Sequence, residues 1–126
     1  MTVKLFLTIS AAISVLFGIA FLLIPETAGA VYGTPPEAHT ILTGRYFGAT
    51  LLTLGLIFWF AKDTSDRNHL RGVLISFAIG SIIGAIVSIV GTVAETLNAM
   101  GWSSVLIYLV LLGGCAYYLM DDRVSP

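Results

Sequence analysis

From Gly72 to Glu95 the chain runs 24 residues with no charge before the last of them, and few folds can accommodate such a run. At about 1.5 Å per residue, a helix of that length crosses the ~30 Å hydrocarbon layer of a bilayer. Within hydrocarbon a backbone must satisfy its own hydrogen bonds, which a helix does unaided. Small residues recur at every fourth position, as Gly72, Ser76, Gly80, Gly84 and Ser88. This row is read as a packing stripe on which another helix can approach closely. Eleven residues beyond Gly84 the helical rotation returns to within about 20° of the same direction, which places Glu95 at the end of that face.

The rest of the chain repeats the theme. Further apolar stretches run over Leu5–Ile24, Ile41–Ala61 and Trp102–Met120. Of the 126 residues 57% are hydrophobic and 10% charged, with a mean hydropathy of +0.97, whereas soluble domains carry about 25% charged residues. The expected fold is therefore all-α: an integral membrane four-helix bundle filling residues 1–126 as a single transmembrane domain. Four spans of ~20 residues with short turns leave no length for a soluble head. The net charge is −1 and the basic residues are dispersed, which argues against nucleic acid as a partner and against a polybasic lipid-binding cluster. A single cysteine, Cys115, excludes an intrachain disulfide and a cysteine metal cluster.

Ala28-Gly29-Ala30 has the small-x-small pattern of a signal-peptide cleavage site. The twenty uncharged residues before Pro25 nevertheless exceed the usual apolar core of such a peptide, so the segment reads as a span. Ser10, Ser14 and Gly18 form a second small-residue row on it. Pro25 ends this helix, and Glu26–Gly33 form a connection containing Tyr32. Thr34-Pro35-Pro36-Glu37 predicts the next helix start, with Thr34 as N-cap, Pro35 at the first helical position and Glu37 closing a capping box. That second helix carries Gly44, Gly48 and Gly55 toward one side and ends in the aromatic girdle Phe58-Trp59-Phe60. In the polar connection Lys62–Arg71, Thr64, Ser65 or Asp66 can cap the third helix, and Asn98 and Gly101 mark its far end. Trp102 and Ser103 open the fourth span and Tyr117-Tyr118 close it. Lys4, Lys62, Arg67, Arg71 and Arg123 all fall on one side of such a bundle, which predicts cytoplasmic N and C termini.

Candidate chemistry concentrates at the opposite end. Arg45 lies about a turn inside its apolar stretch, where insertion of a charge costs ~2.5–3.5 kcal/mol at full depth. It either snorkels to the interface or pairs with Glu95, and Glu37, His39 and Glu26 share its side, so a polar corner for a polar or anionic headgroup is expected there. His39 and His69 sit at helix ends, which disfavours axial haem ligation. No carboxylate, lysine or arginine lies within Leu5–Ile24, Gly72–Ala94 or Trp102–Met120, which argues against proton-coupled transport, and no repeat relates the two halves. No catalytic triad, zinc spacing, phosphate loop or paired catalytic carboxylates occurs, so neither enzyme activity, metal nor cofactor is expected.

The helix ending in Pro25, the segment Gly44-Arg45-Tyr46-Phe47-Gly48 and the segment Asn98-Ala99-Met100-Gly101-Trp102 resemble those of small uncharacterised four-helix bacterial membrane proteins, DoxX-like in size and topology. The resemblance implies a bundle in the bacterial inner membrane; the acidic residue expected in the second helix of many DoxX-like proteins is absent here. The function expected is that of a structural or accessory protein, embedded in the lipid bilayer and packing with other membrane subunits or with itself. The alternative is a lipid- or metabolite-binding protein, or a minor transporter, using the Arg45 and Glu95 corner.

Overall fold

The computed structural model describes residues 2–121. It contains α1 (Val3–Leu23), α2 (Pro25–Val31), α3 (Ala38–Ala61), α4 (Arg67–Val93) and α5 (Gly101–Met120), with no strand among the described residues. Four of these helices are long and apolar enough to cross a membrane. Arg123, which enters the expected charge asymmetry, lies outside the described residues. The chain divides into two compact units, Met1–Lys62 and Asp63–Pro126.

In the first unit α1 and α3 pack antiparallel, and α2 lies in the connection between them. Proline chemistry sets the connection. Pro25 drives the preceding Ile24 out of the helical region (φ −130°, ψ 55°) and then opens α2, where its missing N–H is no loss. At the end of α2, Gly33 takes a left-handed conformation (φ 77°). The Gly33 N–H donates to the Ala30 carbonyl (3.0 Å) and the Thr34 N–H to the Gly29 carbonyl (3.1 Å), a helix stop that calls for glycine. Thr34 thus closes α2 rather than capping α3. Pro35, itself followed by a proline, is kept out of a helix, and the Glu37 N–H turns back to the Pro35 carbonyl (2.9 Å). The following helix therefore starts at Ala38 with Glu37 as N-cap, three residues later than the Thr34-Pro35 signal suggests.

The α1–α3 contact is close enough to exclude side chains. A Cβ at Gly48 would stand 2.7 Å from both the Gly18 carbonyl oxygen and the Leu22 nitrogen; one at Gly18 would stand 2.8 Å from the Leu52 nitrogen. At Gly55 it would stand 2.7 Å from Val15 Cγ2. Ser10, Ala11 and Ser14 are buried beside these glycines, and Phe6, Leu7, Phe58 and Ala61 fill the wider end. At the end of α3 the Lys62 ammonium sits 4.3 Å from the centre of the Trp59 ring.

In the second unit α4 packs on α5. Asp66 caps α4, its Oδ1 accepting from the Asn68 N–H (2.9 Å) and the His69 N–H (3.2 Å). The face that α4 turns inward is Leu70, Leu74, Phe77, Ser81, Ala85 and Ser88, spaced on average at about 3.6 residues and hence constant in direction. The small-residue row does not follow it. Steps of four residues advance about 40° each, so the row sweeps roughly 160° from Gly72 to Ser88. Ser88 is buried and Gly84 lies against the Tyr108 ring, but a Cβ placed at Gly72 or Gly80 would meet nothing within 4 Å beyond the adjoining backbone of α4, and Ser76 is exposed. The row is therefore only partly the α4–α5 contact. The buried Ser81 hydroxyl donates to the Phe77 carbonyl (2.8 Å) within its own helix. On α5, Val105, Cys115 and Tyr118 are buried.

A candidate binding cleft at the α1–α3 turn

Where α1 hands over to α2 and α3 begins, the first unit encloses a cleft of about 320 Å³, at the lower end of the range for small-molecule sites. Each wall follows from a local signal already described. The Pro25 break tips α2 away from α1 and contributes Pro25, Glu26 and Gly29; the Gly33 stop returns the chain so that Thr34, Pro35 and Pro36 form a rim. The first turns of α3 supply His39, Thr40, Ile41, Thr43, Gly44 and Phe47, and the last turn of α1 supplies Phe21. Gly44 allows this closure, since a Cβ there would already stand 3.3 Å from Pro25 Cβ. Phe21 and Phe47 meet edge to face with centroids 5.1 Å apart, and Tyr32 stacks beside Phe21 at 6.4 Å.

The polar side chains of the cleft wall are Glu26, His39 and the hydroxyls of Thr34, Thr40 and Thr43. His39 Nε2 lies 3.3 Å from Glu37 Oε2, and both side chains are more than half exposed (79% and 60%), so the pair contributes little stability. The Thr43 hydroxyl donates to the His39 carbonyl (2.8 Å), which leaves its oxygen as an acceptor toward the cleft. Glu26 has no ion-pair partner among the described residues, and no lysine or arginine lines the cleft.

Of the residues singled out from sequence, His39 lines this cleft and Glu37 stands beside it. Arg45 is exposed and does not line it, being turned about 100° from Gly44 around α3. Glu95 belongs to the second unit. α4 ends at Val93, and Glu95 follows in a left-handed conformation (φ 59°), so helical counting from Gly84 does not place it. It is part of the helix stop: its N–H donates to the Thr92 carbonyl (3.2 Å), and the Leu97 N–H returns to the Gly91 carbonyl (3.0 Å). Neither Arg45 nor Glu95 makes an ion pair within its own unit. Phe21, Phe47 and Thr43 carry no sequence signal for a site, since they read as ordinary span residues. The available hint was the connection from Pro25 to Pro36, too long for a tight turn.

In comparison with known proteins, a family model described as a domain of unknown function, DUF8292, matches residues 8–124. No curated protein and no solved structure matches the chain.

Proposed function

We propose that this chain, which belongs to the DUF8292 family, is an integral membrane protein that performs no chemistry of its own and packs with other membrane subunits or with further copies of itself. The observation that carries this reading is the open part of the α4 row. A Cβ at Gly72 or Gly80 would meet nothing within 4 Å beyond the adjoining backbone of α4, whereas glycines at the α1–α3 contact bring two backbones together. A helix-smooth surface of the kind that the first unit uses for close approach is thus left unused by α5 in the second.

Membrane residence is supported by how side chains distribute. Ser10, Ser14 and Gly48 lie inside the first hairpin and Ser81 and Ser88 inside the second, while Leu16, Phe60, Ile83 and Val87 stand exposed at 57–76%, the reverse of a water-solvated arrangement. The Lys and Arg asymmetry supports cytoplasmic termini, and the DoxX-like resemblance supports a bacterial inner membrane. Native mass spectrometry after gentle extraction tests the proposal. A discrete homo-oligomer or a stoichiometric protein partner is expected, with Gly80→Leu dissociating it; a lone protomer in mild detergent and in nanodiscs contradicts it. The first unit's cleft favours a second role, ligand binding.

A further inference from the structure

We infer that the cleft at the α1–α3 turn binds a lipophilic ammonium cation, an activity separate from the association proposed for α4. The one charged side chain on the cleft wall other than His39 is the Glu26 carboxylate, which no cation of the described chain neutralises. The nearby Glu37 and His39 face each other at 3.3 Å and balance one another when His39 is protonated. Arg45, the arginine of α3, is exposed and does not line the cleft.

The remaining wall suits the same guest. Phe21 and Phe47 present aromatic surface, and a ring face attracts an ammonium group within about 6 Å. The Thr43 oxygen, its proton committed to the His39 carbonyl, can only accept. The positive end of the α3 dipole opposes a cation, but the N-cap Glu37 and the C-terminal end of α1 lie beside it and offset it. An anion would meet Glu26 and find no lysine or arginine on the wall. The same absence tells against a phospholipid head, whose phosphate would go unmatched, and selects an amphiphile whose only charge is the ammonium. A volume of about 320 Å³ holds such a head and its first methylenes, with the tail leaving along the apolar flank of Phe47.

The test is calorimetric titration of the full chain, in an uncharged maltoside detergent, with hexyltrimethylammonium, hexanesulfonate and hexanol. Saturable binding of the cation alone is expected. Glu26→Gln, at an exposed position where the fold tolerates it, should weaken that binding about fivefold or more. Phe47→Leu should weaken it about threefold, with thermal stability of both variants checked in parallel. Equal binding of the sulfonate, no binding of the cation, or full affinity in a folded Glu26→Gln variant would overturn the assignment. The oligomeric state bears on none of these outcomes, so this inference and the association proposal fail independently.

Discussion

Two glycines, one in each unit, should respond in opposite directions to the same substitution. In Gly48→Ala the new Cβ meets backbone on two sides at 2.7 Å, where ordinary contact begins at 3.4 Å, leaving a shortfall of 0.7 Å from those two values. Backbone cannot swing aside as a rotamer does, so α1 and α3 must part by about that amount. A gap of 0.5–1 Å forfeits a quarter to a half of each contact worth ~0.1–0.2 kcal/mol. Over roughly 40 atom pairs the loss is about 2 kcal/mol, within the range for overpacked cores. Alanine's better helix propensity returns at most about 1 kcal/mol, leaving a net destabilisation of about 1–2 kcal/mol. In Gly80→Ala nothing in the hairpin is touched, and only the propensity gain remains. Unfolding of the full chain in mixed micelles, followed by loss of helicity against denaturing-detergent fraction, reads both. Gly48→Ala matching or exceeding Gly80→Ala in stability would refute the close-contact reasoning.

Other substitutions probe the second unit. Glu95→Gly removes a side chain from a left-handed position (φ 59°) and should stabilise the hairpin by about 1 kcal/mol in the same unfolding assay. Asp66→Ala deletes a cap that accepts two N–H donors and should cost about 1 kcal/mol, visible also as faster amide exchange at Asn68 and His69. Leu74→Ala empties a fully buried site on the α5-facing stripe and should cost about 2–4 kcal/mol, whereas Ile79→Ala, at an exposed position, should leave the unfolding midpoint nearly unchanged.

The four apolar helices are legible because length and lack of charge decide them, and Asp66 stands among the cap candidates of the polar connection because a short acidic side chain can accept from the first free N–H groups of a helix. The start of α3 was misread because two stop signals overlap: Thr34 looks like an N-cap, yet Gly33 beside it had already claimed Thr34 for the end of α2. The small-residue row on α4 misled for a geometric reason. A strict four-residue spacing drifts off any fixed face, while the face that packs on α5 mixes steps of three and four and is built largely from Leu, Phe and Ala. Glu95 was placed by extending a helix past its true end, and a left-handed glutamate is not something composition announces. The cleft was least legible of all, because it arises from how a seven-residue helix bends the α1–α3 connection.

The claim on which the functional account rests is that another subunit's helix lies against the open side of α4. A photo-crosslinking amino acid at Val87, which shares that side with Ser76 and Gly80, should yield one discrete protein adduct in native membranes. The same group at Ile82, on the opposite flank of α4 and also exposed, should yield none. Equal adducts from both positions, or none from Val87, would contradict the account.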